Sequence, residues 1–581
     1  MKRSLIYKTL IAVLGTASIQ PIYATTTFEN FDPYSSSIEQ VDQHEELHLK
    51  TQLSGYDYDV ELDADITNAL HLYFAYNDSG NGKVEGNTLT WTRGNIGSDI
   101  AATDVYVFAA YSADTDVNNN TLNIKGGEFY PKKLSGSTSE GAGKIAAAKS
   151  DSASMYGNKV VVSGGYFNTY MEIIGAYSND QSETGQVASG NSVEVNGSNT
   201  APQFHSNGSV APSLYGAKLH TADVYNNRVT VNSLNNASNF SNIVGGHAAS
   251  GSISGNGVEI SGSAFKTENI YGGRIVLDDF SEDYPYSATD NDVHIQNSEI
   301  EFSVIAASGN EAGNSNNGTV YIADTTLKPV PQDTDTPAYI TGGYSWNDSA
   351  STSGNTVHLV DVTVEKDSPL FVYAAGEGWA AGNIRDNTII LESKNYDDQE
   401  ENLSSVSFYG YEMLWGEARN NSFVVRKWNG KIGGIARFNS ITFDDFKWVN
   451  NGTILDVQGE ANISSTTLSI NTTNIRFEDG ELENHFGEQM TLIQGSQNHA
   501  ISFNPIYDNG QQIAIPSTIT EDSIGVIQNN RKDNSVEFKL QGTAPSQQLE
   551  LVSNNRNMSL FFVNHGAELI LDNLDATSRD Y

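Results

Sequence analysis

The chain has 581 residues and no cysteine, and its 71 Asp and Glu outnumber 32 Lys and Arg for a formal charge of −39. That balance repels nucleic acid and anionic membranes, and the missing thiols exclude zinc-thiolate, redox and cysteine-nucleophile chemistry. With 52 Gly, 13 Pro and 28 Tyr, and with short β-branched runs broken by Asn, Ser and Thr, the composition predicts an ordered all-β chain rich in tight turns.

Residues 1–24 have the order of a secretory signal peptide. Lys2, Arg3 and Lys8 give a basic start, Leu10 to Leu14 are largely apolar, and small Ala24 stands at the cleavage point. The stretch is too short and too interrupted to span a membrane. Its removal leaves 29 bases against 71 acids, a formal −42. A secreted chain without cysteine also suits unfolded passage across a second membrane, because a disulfide would lock a loop. Residues 25–80 precede the regular pattern and are expected to form an N-terminal cap and first coil, since an open coil would present unpaired strand edges.

Residues 81–430 carry an internal repeat in two halves. The first half is an Asn, one residue, then alternating apolar residues. It opens at Asn87, Asn120, Asn158, Asn191, Asn227, Asn256, Asn291, Asn355, Asn387 and Asn421, with Gly318 in the Asn place of one degenerate copy. These eleven copies recur at a mean step close to 33 residues. The second half is an apolar pair followed by two small residues, as at Ile174 to Ala176, Val244 to Gly246 and Ile270 to Gly273. Gly and Ala exchange freely there, so small size is the shared requirement, not left-handed backbone.

Two short strands per unit cannot bury their apolar faces alone, but stacked units can. The period is too short for kelch propellers, eleven units exceed a propeller, and Leu is too sparse for leucine-rich repeats. The expected fold is a right-handed parallel β-helix of about eleven Gly- and Asn-rich coils. The Asn residues are expected to stack as an amide ladder; Asn also tolerates left-handed turn geometry.

Past residue 430 the small-residue motif disappears and the strands become plainer, as in Ser440 to Phe443 and Gln489 to Ile493. Gly-rich coils followed by such a run resemble the passenger domain of a type V autotransporter. The resemblance covers about residues 1–570. It implies a more regular C-terminal β-helix segment over 431–550 and a linker helix over 551–581, where Met558 to Ile570 is similar to the segment that threads the barrel pore. The membrane barrel of that family is expected but not encoded here. The chain is therefore expected to be truncated or split, or to use a barrel from another chain. The resemblance implies a secreted protein at the cell surface or outer membrane of a Gram-negative bacterium.

The chemistry-bearing strings are sparse. Asn77 to Gly80 is the nearest string to a serine-protease nucleophile loop, with too little chain before it for the domain. Asp278-Asp279, Asp397-Asp398 and Asp444-Asp445 are carboxylate pairs of the type that β-helical hydrolases and lyases gather on neighbouring coils. His44 and His48 stand four apart in an acidic region and are expected to be solvated. No catalytic, cofactor or metal residue is assigned. Aromatic residues at and near the small pairs are the candidate ligand-binding residues: Tyr111, Tyr177, Tyr344, Trp346 and Trp379. As exposed rings in a row they could hold sugars or peptides; alternatively they cover the coil corner as packing. The expected function is a stalk or adhesin without catalysis, meeting host-cell or matrix glycans or proteins. A β-helical carbohydrate-active enzyme and a truncated, non-functional fragment remain the alternatives.

Overall fold

The computed structural model describes residues 70–77, 82–503 apart from short loop segments, and 525–540, with isolated strands at 25–29, 38–41, 46–49, 57–61 and 512–513. The signal peptide, the proposed linker helix, Asp278-Asp279, Asp397-Asp398, Trp379 and residues 78–80 lie outside the described residues.

The described chain is a parallel β-helix. Each Asn-led strand pairs in parallel with the equivalent strand one repeat on, without slippage through the middle of the stack. One inward column runs Val160, Val193, Val229, Val258, Val293 and Val320. A second runs Val162, Val195, Val231, Ile260, Ile295 and Ile322. Alternation places every second residue inward, and branched side chains stacked at the strand spacing of about 4.8 Å leave no room for water. These columns are buried.

The corner after the Asn-led strand holds a column of aromatic rings. Phe129, Phe167 and Phe204 are in register. Their centroids are 5.0 Å apart at both steps, nearly coplanar between Phe129 and Phe167. Phe240 and Phe265 continue the column at 4.6 and 5.3 Å.

The amide ladder forms as expected. The Nδ2 of Asn87 donates to the Oδ1 of Asn120 at 2.9 Å, and the same bond recurs along Asn120, Asn158, Asn191, Asn227, Asn256 and Asn291 at 2.9–3.1 Å. Each Oδ1 accepts a second bond, from the backbone N–H of the preceding Asn. The other Nδ2 hydrogen goes to a carbonyl of the preceding coil, such as Val117 for Asn158 and Met155 for Asn191. From Asn120 to Asn256 these amides are fully buried and use both donors and both acceptor sites, so their burial leaves no polar atom orphaned.

The left-handed turn residue is not the ladder Asn. It is the residue before it: Gly86, Asn119, Gly157, Gly190, Asn226, Gly255, Asp290, Asn317, Gly354, Asp386 and Asn420 have φ of 53–70°. The first residue takes the strained corner, and the Asn after it turns its amide inward.

The ladder breaks once. At Gly318 there is no amide to receive Asn291, whose Nδ2 instead donates to Ser308 Oγ at 3.0 Å. Ser308 is in register with Gly273 and Gly343, the second small residue of the neighbouring coils. It stands where the pair elsewhere is Gly or Ala because a hydroxyl is needed there. The same position explains the small-residue rule: a Cβ on Gly246 would lie 2.5 Å from the Asn256 amide. The ladder resumes from Asn355 through Asn387 to Asn421 at 2.9 Å.

Past Asn421 the last amide acceptor is Asn439. In the next coil Thr466 takes that place, its hydroxyl donating to the Phe438 carbonyl at 2.8 Å, and buried Trp428, Phe438, Phe446 and Trp448 fill the interior of the closing coils. Gln489–Gly495 then pairs antiparallel with Ser535–Leu540, which pairs antiparallel with Gly525–Asn530. This hairpin covers an edge that another coil would otherwise have to satisfy. Toward the other end, Ile38–Val41 and Glu46–Leu49 also pair antiparallel, and the latter runs alongside Leu70–Asn77.

Candidate functional site

The outer face of the small-residue sheet is built by columns of side chains from successive coils. One column runs Tyr73, Phe108, Ala146, Ile174, Tyr215, Val244 and Tyr271. The next, three residues on in each strand, runs Tyr76, Tyr111, Lys149, Tyr177, Lys218, His247, Arg274, Gly309 and Tyr344.

The expectation of exposed aromatics is corrected for three residues and met for one. Tyr111, Tyr177 and Tyr344 retain only 7%, 8% and 2% of their surface, whereas Trp346 retains 38%. Trp379 lies outside the described residues. The rings on this face are covered partly by cations, from a neighbouring coil or from three residues on in the same strand. Lys149 Nζ sits 4.9 Å from the Tyr111 centroid, Lys218 Nζ 4.7 Å from Tyr215, and the Arg274 guanidinium 4.8 Å from Tyr271. Lys144 Nζ lies 5.2 Å from Tyr106 and 5.3 Å from Tyr177. Tyr344 lies across Gly309, where a Cβ would come within 2.7 Å of its hydroxyl.

Carboxylates at this face are few and engaged. Buried Glu172 pairs with Lys218, and with Lys144 at 3.8 Å. Burial opposes its charge, but Lys218 and then Lys144 overcome that and hold the carboxyl below its ordinary value. Tyr111 donates to Asp151 at 2.5 Å, and burial followed by that bond raises its phenol well above the usual range. Lys149 reaches Asp151 at 3.4 Å. Burial, then Lys218, Arg274 and His220, holds the His247 imidazole well below its ordinary value, so it is neutral at pH 7. The His247 Nδ1 and the Arg274 Nε are buried without a hydrogen-bond partner.

The remaining sequence candidates are structural where described. Asp444 receives Arg426 Nε at 2.9 Å, Asn471 at 2.8 Å and Asn474 at 3.0 Å. Burial raises its pKa, and the bonds from Asn474, Arg426 and Asn471 more than reverse that. Asp445 accepts from the Tyr396 hydroxyl and lies 3.7 Å from Lys427 and from Arg476. The pair clamps adjacent strands. Among the described residues no three His, Asp or Glu side chains converge as a metal site would require.

The cation column escaped the sequence reading, which followed only aromatics. Its signal is the residue after each small pair: Lys149, Lys218, His247 and Arg274 alternate there with Tyr111, Tyr177 and Tyr344. No known protein family, curated protein or solved structure matches this chain.

Proposed function

We propose that the chain is a secreted, surface-presented β-helical scaffold of the autotransporter-passenger kind, acting as a stalk or adhesin. The observation that carries this reading is the long in-register stack with its buried amide ladder. Such a stack supplies length and stiffness and displays side chains in rows along its faces. The absence of cysteine and the basic-apolar-small order of residues 1–24 support export. Host-cell or matrix glycans or proteins are the partners of such a scaffold, and an outer-membrane barrel would anchor it.

The test is to express the full chain in a Gram-negative host and sequence the N-terminus of the mature protein. Intact cells are then treated with protease. The reading expects a start near Thr25 and loss of the chain on shaving or its recovery in the medium. An uncleaved chain retained in the cytoplasm overturns it.

A further inference from the structure

We propose that the column Lys149, Tyr177, Lys218, His247 and Arg274 binds an acidic polysaccharide lying along the stack, whose carboxylate or sulfate groups meet the cations in turn. Three independent features point there. Lys218, His247 and Arg274 are direct cross-strand neighbours in three successive coils. A chain with 71 acids places no carboxylate in this column. The nearest ones flank it: Glu172 beside Lys218, Asp151 beside Lys149, and Glu311 near Arg274.

The second feature is the pair of orphaned nitrogens. Arg274 Nε–H is a donor at every accessible pH, and it is buried without an acceptor. His247 Nδ1 beside it is also buried and unpartnered. Buried polar atoms left unmatched are rare in folded proteins and point to a missing oxygen ligand. The third feature is preorganisation. Each of Lys149, Lys218 and Arg274 rests on a tyrosine ring, which limits the side-chain freedom lost when an anion arrives.

Charge spacing selects the class of anion. Lys149, Lys218 and Arg274 stand two coils apart, about 10 Å at the strand spacing. A nucleic-acid strand carries a phosphate roughly every 3.4 Å. That dense charge would meet one cation for several phosphates. A glycan with one acidic group per one or two sugar units matches the column without that excess. The assignment rests on the adhesin reading for where such a glycan is met, but the column itself can be tested on purified protein.

The experiment is calorimetric titration of the purified full chain, at low and moderate salt, with κ-carrageenan oligosaccharides (one sulfate per two sugars, no carboxylate), polygalacturonate oligosaccharides and duplex DNA. At least one glycan is expected to bind saturably, and the two arms separate sulfate from carboxylate recognition. Arg274→Gln and Lys218→Gln should each weaken binding about tenfold, the worth of one charge-assisted hydrogen bond. Lys328→Gln, which removes an equal charge from the Glu299 pair elsewhere, should leave binding within about twofold. Should Arg274→Gln fail by circular dichroism, Arg274→Lys keeps the charge without the fork and should give an intermediate loss. No saturable binding of either glycan, an equal loss in Lys328→Gln, or tighter binding of DNA overturns the proposal. These outcomes are read independently of whether the chain reaches the cell surface.

Discussion

The coils between Asn87 and Asn421 and those beyond Ser440 solve one problem in two ways. Both must fill the corner where the chain turns into the Asn-led sheet. The earlier coils fill it with a buried amide that is bonded above and below. The later coils place Asn439 and then Thr466 there, the threonine hydroxyl donating to the Phe438 carbonyl, and bury Phe446 and Trp448 at the far end of the same strand. The amide solution demands strict register, since an acceptor displaced by one residue points to the other face. Register shifts fall outside the Asn-led strands of the ladder, near Asn235 and Leu403 as well as near Asp444 and Thr491. The Asn-led strands that carry the amide row keep one register throughout, and the irregularities fall elsewhere in the coils.

The largest effect should come from the feature at the neighbouring corner. Phe167→Ala removes a fully buried ring from between Phe129 and Phe204 and should cost about 4 kcal/mol in denaturant unfolding. Asn191→Ala should cost about 3 kcal/mol, because both the backbone N–H and the Nδ2 of Asn158 lose their acceptor. Hydrogen exchange should localise that loss to the coils on either side. An Asn191→Ala protein as stable as the parent would mean that the amides merely occupy space.

Ser308→Gly is a smaller and sharper test. It leaves one Asn291 donor unmatched and should cost about 1–2 kcal/mol. The equivalent Gly in the next coil, Gly343, shows that the backbone itself does not need Ser there.

Acidity should soften the two regions at opposite ends of the pH scale. His485, in the closing region, bonds Asp479 at 3.0 Å and Glu488 at 2.9 Å, and Asp479 followed by Glu488 raises its pKa. A raised histidine contributes in full below its unfolded value of about 6.5, and that stability is lost as pH rises through the folded value. His247 behaves inversely. Its folded value is depressed, so the unfolded chain takes up a proton that the folded coil refuses, and stability falls as pH drops below about 6.5. Exchange measured at about pH 5.5 and about pH 8, corrected for intrinsic rates, should show the Lys218–Arg274 coils opening at the lower value and the His485 region at the higher. The smallest expected effect is from Trp346→Ala: with its ring already exposed, stability should change by no more than about 0.5 kcal/mol.

The repeat was readable because its two signals are local. Alternation after each Asn marks a strand, and a small pair marks crowded backbone. The amide ladder followed from placing equal residues on equal coils. Burial of Tyr111, Tyr177 and Tyr344 was not readable, because what lies on a ring comes from a residue about 30 or more positions away. Lys149 covers Tyr111 across the coil boundary, and only the register reveals it. The division of labour at the corner was also hidden. Asn119 and Asn120 are the same residue type, yet one supplies left-handed backbone and the other a buried side chain. The Ser308–Gly318 compensation required knowing which small residue faces which amide.

Every amide-to-amide bond in the stack runs in one direction, toward the C-terminal neighbour. The row thus has a head and a tail. A growing stack that ends on its N-terminal side presents an unfilled carbonyl oxygen and one N–H whose acceptor belongs to the missing coil, whereas one that ends on its C-terminal side presents two N–H groups with nowhere to go. Stranded N–H groups are the costlier of the two. Assembly that starts near Asn421 and proceeds backward along the polypeptide hands each arriving coil a ready acceptor, so the molecule carries a preferred direction of completion in its own hydrogen bonds.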